Sequence, residues 1–342
     1  MISSDLRRAV RHAVAAAGFP PGTEPGLRPT GRPGQYSASV ALSLGEHPRE
    51  TGRRLAAALA GAPWIEKAEV TGPGYLTVTV TAAAMEAVAD RITQAGPGCA
   101  VSDALAGVTV PAPPPGDPLA AGPWEEARAA LAARLTARLA AAAGATVAGA
   151  TRPRSGQPGQ EPGAEPRRRG DAGPSASGRS PGIAVAVAYA GRDAVTFALA
   201  RAIPGRPLRV EPEIIARHVL GNPAYAVRYA HARAASGVRW ALASRGDDPA
   251  PGLPADPGEL ALLDALSWLP ERVAVAARRG RPDEFARYLE ELAGVTVDVL
   301  SSVRHPGNAA APGSDRLALA RAAQAGLAAG LGLLEVSAPE RL

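Results

Sequence analysis

A chain of 342 residues, 46% apolar but only 4% aromatic, is long enough for two or three domains and too apolar to be disordered throughout. Its formal charge of +5 divides as +2, +2 and +1 over residues 1–98, 99–182 and 183–342, so no domain is a basic block and any nucleic-acid site must be a local patch. The single cysteine, Cys99, excludes a disulfide framework and a Cys-based zinc site, and His12, His47, His218, His231 and His305 stand at no metal-ligand spacing; no metal and no cofactor are expected. The first 18 residues carry charges throughout, unlike a signal peptide, and no stretch approaches the ~18 apolar residues of a membrane span. The expectation is a cytoplasmic protein with no membrane partner.

In chain order, residues 4–17 read as a helix with Leu6, Val10 and Val14 on one stripe and Ser4 or Asp5 as N-cap. The alternation YSASVALSL predicts a strand over 36–44. A helix over 47–60 opens at Pro48, whose missing N–H costs nothing in a first turn. Strands over 65–70 and 75–81 flank the turn Thr71-Gly72-Pro73-Gly74, and a helix over 82–95 closes a small α+β domain, residues 1–98.

Residues 99–182 differ. PAPPPGDP at 111–118 can hold neither ladder nor helix, because proline removes donors and fixes φ. One alanine-rich helix follows over about 123–143. Residues 151–182 have almost no apolar side chain and read as a partly disordered Pro/Gly/Arg-rich linker, in which Arg167, Arg168 and Arg169 form a solvated run.

From residue 183 the pattern is helical. IAVAVAYA is a short strand or the start of a buried helix. Helices are predicted over 192–202, 211–220 and 223–243, the last with Asn222 as N-cap and Pro223 as first residue. A loop over 246–257 precedes an apolar run, 258–279, broken or kinked at Pro270. A long amphipathic helix covers 282–301. Ser314 caps a last helix with Leu317, Ala320, Leu327, Leu331 and Leu334 inward. Together these elements predict an all-α bundle, residues 183–342.

The segment GNPAYAVRYAHARAASGVRWA (221–241) resembles the head of the DALR anticodon-binding domain of arginyl-tRNA synthetases. Asn222, Pro223, Tyr225, Tyr229, Ala230, His231, Ala232 and Arg233 match its NP, aromatic and QYAHAR pattern. Arg228 stands where the family has glutamine, and Ala226 where a tyrosine is common. GRDAVTFALARAIPGRPLRVEP (191–212) is similar to the DALRYFLLSR stretch. DEFARYLEELAGVTVDVL (283–300) and the ending GLAAGLGLLEVSAPERL are similar to the helix and close that follow it. Near the N-terminus, HPRETGRRLAAALAGAPWIEKAEVTGPGYLTVTV resembles the additional N-terminal domain of the same enzymes. Tyr75 stands at the aromatic position of its GPGF-x-N turn, and Thr77 replaces the asparagine.

The resemblance implies a protein that binds tRNA, with arginine tRNA as the candidate, through an anticodon-arm domain and an elbow-facing domain. It also implies an absence. The family's catalytic domain lies between these two parts, carrying an H-x-G-H signature that orients ATP phosphates. Here no two histidines are three apart, and Lys67, the only lysine, is in the wrong domain for a KMSKS-like loop. No catalytic residue is assigned. The alternative is a regulatory or scaffolding protein that docks on another protein, such as a full synthetase.

On the helix over 223–243, Tyr225, Arg228, Tyr229, Ala232 and Ser236 share one face. Rings that stack on unpaired bases, interleaved with a guanidinium for phosphates or base edges, suit single-stranded RNA. The competing reading makes the tyrosines bundle core and Arg228 a solvated edge. His231 lies on the opposite stripe as a satisfied core histidine bonded to a neighbouring helix. Arg233 pairs with Asp193 or another bundle carboxylate, or contacts phosphate. The tRNA-binding candidates are therefore Tyr225, Arg228, Tyr229, Arg233 and Tyr75.

Overall fold

The computed structural model describes residues 2–20, 22–120, 122–149, 182–243, 257–301 and 314–342. Helix α1 (Ile2–Ala16) buries Leu6, Val10 and Val14 as its stripe requires. It starts ahead of the expected cap. Ser3 is already helical and buried, donating to the Ser267 carbonyl at 2.5 Å, while Asp5 in the first turn pairs with Arg91.

Four antiparallel strands, β1 (Leu27–Pro29), β2 (Gln35–Ala38), β3 (Ile65–Thr71) and β4 (Tyr75–Val80), form one sheet in the order β1-β2-β4-β3. The strand expected over 36–44 stops at Ala38. Leu42 N–H turns back to the Ser39 carbonyl, and Val40–Ser43 is a 3-10 helix leading to α2 (Pro48–Leu59). Strand alternation sends Tyr36, Ala38, Leu76, Val78 and Val80 into the core, and Gln35, Ser37, Tyr75 and Thr77 toward the other face. Gly74 in the β3–β4 turn has φ +146, and a Cβ there would stand 2.6 Å from the Pro48 Cβ, so the turn and the start of α2 need glycine at that position. The Thr81 hydroxyl accepts from Ala84 N–H and caps α3 (Ala82–Ala95).

Sequence reading supplies α4 (Trp124–Ala142) but misses what flanks it. β5 (Thr109–Val110) and β6 (Thr146–Val147) pair in parallel, with α4 as the crossover. Strands of two residues are too short to show a period.

The rest is helical: α5 (Ile183–Ala190), α6 (Arg192–Arg201), α7 (Pro212–Ile215), α8 (Pro223–Ala243), α9 (Pro257–Ser267), α10 (Leu269–Arg279), α11 (Pro282–Ser301) and α12 (Ser314–Leu333). The segment IAVAVAYA is thus helix, but not a buried one: Val185 and Tyr189 are 60% and 62% exposed. The helix expected over 211–220 is a single turn. Asn222 Nδ2 donates to the carbonyls of Ile215 and Arg217 at 2.7 and 2.8 Å and holds the intervening chain as a loop. The linker expected over 151–182, apart from Gly182 at its end, with its Arg167–Arg169 run, and most of the loop expected over 246–257 lie outside the described residues. Leu317, Ala320, Leu327, Leu331 and Leu334 are all buried on α12 and the residue just after it.

The apolar run over 258–279 breaks at Trp268, with Pro270 in the first turn of α10. Proline donates no N–H, so the corner leaves carbonyls without the partners a continuous helix would supply. The N-terminal sheet unit docks on this corner. Ser3 bonds the Ser267 carbonyl, the Tyr36 hydroxyl bonds Ser267 Oγ at 2.8 Å, and Gly34 N–H donates to Asp264 at 3.1 Å. Beside them Arg7 and Glu271, 2% and 4% exposed, form a two-pronged ion pair joined by Glu24. Burial disfavours the guanidinium charge, but Glu271 and Glu24 hold the Arg7 pKa above the ordinary arginine value. Buried side chains from the sheet unit and the bundle form one contiguous core.

Candidate nucleic-acid interface

Helix α8 packs its small face, including Val227, Ala230 and Ala234, against α11 and α12. Its other side carries Tyr225, Arg228 and Tyr229, all half-buried. The two tyrosine rings stack at 5.8 Å between centroids, 22° between planes. A third ring joins them: His218, in the loop before α8, stacks on Tyr225 at 5.3 Å and 13°. Both spacings fall in the ~4.5–7 Å range of favourable aromatic pairs. Sequence reading missed His218 because it assigned that residue to a helix, and ring proximity across a loop leaves no periodic trace.

Arg228 is not the solvated edge of the competing reading. Its Nη2 lies 3.4 Å from Asp193 Oδ2, and its buried Nε has no acceptor. Asp193 also accepts from Ser337, through both N–H and hydroxyl, so Arg228 sits where the C-terminal segment folds back on the bundle. Arg233 takes another role than the Asp193 pair: its Nη2 donates to the Leu300 carbonyl at 3.2 Å, at the end of α11. His231 is buried, as its stripe implies, but its partner is the Pro339 carbonyl at 2.9 Å in that returning segment rather than a helix. Glu290 pairs with Arg201 at 2.5 Å.

Tyr75 lies elsewhere, on the outer face of the sheet. It lines an open cleft of about 540 Å³ with Arg28, Arg32, Gln35 and Ser37. Thr77 is in the same cleft, but its hydroxyl is engaged with that of Thr71 at 2.9 Å. Arg28 and Arg32 come from β1 and the loop after it, a strand that three residues could not announce. The cleft therefore combines one aromatic, two exposed guanidiniums, neutral hydrogen-bonding groups and one carboxylate, Glu69, which is paired with Lys67 at 2.7 Å.

The βαβ unit presents a third feature. A helix N-terminus after a parallel strand is an anion site when its first turn is neutral or basic. Here α4 opens with Glu125 and Glu126, which oppose a phosphate. Among the described residues no group of three His, Cys, Asp or Glu side chains could hold a metal ion, and no single helix is long and apolar enough to cross a membrane.

Residues 227–342 match the family model of the DALR anticodon binding domain, beginning within α8 and running through the returning C-terminal segment. The chain is 38% identical over 169 residues to the arginine–tRNA ligase of Micrococcus luteus, covering 46% of this chain and 30% of that one. It is 37% identical over 160 residues to the corresponding ligase of Frankia alni, with 44% and 29% covered. This chain is related to the arginyl-tRNA synthetases. It spans about 30% of the length of the curated relatives it matches. The fold agrees: the arginyl-tRNA synthetase structure from Thermus thermophilus superimposes with a TM-score of 0.70 at 17% identity, over 100% of both chains. At that identity the similarity is one of fold.

Proposed function

We propose that this protein is a non-catalytic, cytoplasmic tRNA-binding relative of arginyl-tRNA synthetase. In this reading residues 183–342 meet the anticodon arm, residues 1–98 face the elbow, and residues 99–182 join them. The observation that carries it is the three-ring stack of His218, Tyr225 and Tyr229, which runs into the start of the stretch matching the DALR domain, residues 227–342, and is flanked by Arg228. Two half-buried tyrosine rings and the exposed His218 ring, held in series, offer a platform on which unpaired loop bases stack, for about 1–3 kcal/mol per base. The Arg28, Arg32 and Tyr75 cleft offers a second contact on the sheet unit, through phosphates rather than base edges, because Thr77 has its hydroxyl engaged.

The absence of adenylation is supported by three observations: no histidine pair with H-x-G-H spacing, Lys67 remote from any phosphate loop, and Glu125 and Glu126 at the anion end of α4. Arginine-dependent ATP–pyrophosphate exchange by purified protein should be indistinguishable from a no-enzyme blank. Measurable exchange refutes this part. Filter binding of total tRNA across salt concentrations tests the other. Affinity should fall steeply with salt and exceed that for duplex DNA; salt-independent or equal affinity sinks the tRNA reading.

A second reading is favoured by one observation. The exposed apolar side chains of Val185, Tyr189 and Ile214 stand on the packed pair α5 and α7, with Val219 and Leu220 exposed in the loop after it, a patch suited to a protein partner such as a full synthetase. Capture of a synthetase, with no RNA recovered, would select that reading instead.

A further inference from the structure

Helix α12 ends in a turn suited to glycine and occupied by glutamate. Glu335 N–H donates to the Gly332 carbonyl at 3.1 Å, and Val336 N–H reaches back to the Leu331 carbonyl at 3.0 Å. This is the bond pair of a Schellman cap, in which the residue after the helix adopts the left-handed region. Val336 and Leu331 are both buried, as the apolar contact of that cap requires. Glu335 accordingly has φ +58 and is, among the described residues, the one residue other than glycine with positive φ. Glycine enters that region freely, whereas a Cβ crowds its own backbone there, so glutamate strains the turn.

A strained residue persists where its surroundings over-determine it. Here the surroundings are the guanidiniums of Arg134 and Arg138, one turn apart on α4, which face the two carboxylate oxygens of Glu335 at 3.6 and 3.7 Å. Those separations exceed hydrogen-bond reach, so the hold is one of charge. Glu335 is 24% and Arg138 45% exposed, which leaves that charge contact open to screening by salt. The arginines themselves are fixed by other bonds, Arg134 to the Gly116 carbonyl and Arg138 to that of Gly332 at 2.8 Å. Arg192, paired with Asp117, lies within reach of the same carboxylate and adds a third positive charge. Beyond Glu335 the chain returns over the bundle, where Ser337 bonds Asp193 and the Pro339 carbonyl meets His231.

We propose that Glu335 is an ionic latch on a strained turn: its carboxylate, caught between Arg134 and Arg138, holds the C-terminal segment down on α4, and loss of that charge contact lets the segment lift from the bundle. Charge keeps the latch shut, and unwinding the cap relieves the backbone strain, so the device responds to ionic strength. Asp193 bonds Ser337 and also pairs with Arg228, so an opening at α4 is felt on α8. The latch stands whether or not α8 binds RNA.

Hydrogen–deuterium exchange of the full chain, read by mass spectrometry at about 0.1 and about 1 M sodium chloride, tests the latch, with α3 as internal control. Peptides covering residues 334–342 should exchange about three- to tenfold faster at the higher salt, the change expected when two partly exposed charge pairs are screened. Glu335→Gln should show the faster rate at both salt concentrations, with α3 unchanged. Glu335→Gly also loses the charge but takes the backbone that glycine prefers. Its salt response should vanish while its urea midpoint lies above that of Glu335→Gln. Arg134→Gln with Arg138→Gln should match Glu335→Gln, and combining all three changes should add nothing further. If the arginine variant does not fold, the two Glu335 variants decide. A salt response of equal size in wild type and folded Glu335→Gln would overturn the proposal, as would a Glu335→Gly midpoint at or below that of Glu335→Gln.

Discussion

Replacing Arg7 by methionine should destabilise the chain far more than an ordinary surface substitution. Arg7 and Glu271 are 264 positions apart and nearly inaccessible, 2% and 4% exposed, with two guanidinium nitrogens on one carboxylate. Methionine keeps most of the side-chain volume but strands the Glu271 carboxylate in the interface between α1 and α10. Breaking such a pair from one side costs about 3–5 kcal/mol, a large fraction of the ~5–15 kcal/mol that holds a typical domain together. Glu24 does not rescue it, since it retains Arg278 at 3.0 Å and stands 38% exposed. Removing both charges, as Arg7→Met with Glu271→Leu, should recover most of the loss, because neither ion is then buried. Urea unfolding of the two single variants and the double variant closes the cycle, with a coupling energy of several kcal/mol expected. Additive effects, or single variants within about 1 kcal/mol of wild type, would refute the argument that the ion pair is desolvated.

Alanine at Tyr225 or Tyr229 should weaken tRNA binding by about 1–3 kcal/mol each with the salt slope unchanged, and His218→Ala should weaken it by a smaller amount through the loss of its stack on Tyr225; filter binding at two salt concentrations separates these effects. Arg28→Ala with Arg32→Ala should instead flatten the dependence of log affinity on log salt by about 1–2, and an unchanged slope would remove the sheet cleft from the interface. Burial raises the Asp264 carboxyl above the ordinary aspartate value, despite the Gly34 N–H it accepts. The folded state then keeps that proton at pH values where the unfolded chain has released it, so stability falls as pH rises from about 3.9 through the folded value. Asp264→Asn should remove that slope and gain on wild type toward neutral pH; a stability difference constant from pH 3 to 7 would contradict this.

How much was legible in the sequence depended on local period. The helices α2, α3, α4, α8, α11 and α12 follow from stripes and proline starts, because each is long enough for its buried positions to repeat at the helical period. The α9–α10 corner was legible as Pro270. The short elements were not. β1, β5 and β6 have three or two residues, and α7 is one turn where Asn222 captures the carbonyls that a longer helix would have used. The candidate site divided in the same way. Tyr225, Arg228 and Tyr229 share a face that helical spacing gives directly. His218, Arg28 and Arg32 reach their sites through loops, and the Arg228–Asp193–Ser337 junction joins residues 144 positions apart. The docking of the sheet unit on the bundle through Arg7, Tyr36 and Asp264 left no signal in either segment alone.

Sequencing of RNA crosslinked to the protein in its own cell tests the central claim most directly, because ligand and contact positions are read together. The account expects transfer RNA to dominate the recovered reads, arginine isoacceptors foremost, with crosslinks concentrated in the anticodon loop and a second cluster at the elbow, and with the anticodon cluster lost in Tyr225→Ala, Tyr229→Ala protein. Recovery of no transfer RNA above background, or crosslinks spread evenly over messenger and ribosomal RNA, would contradict it.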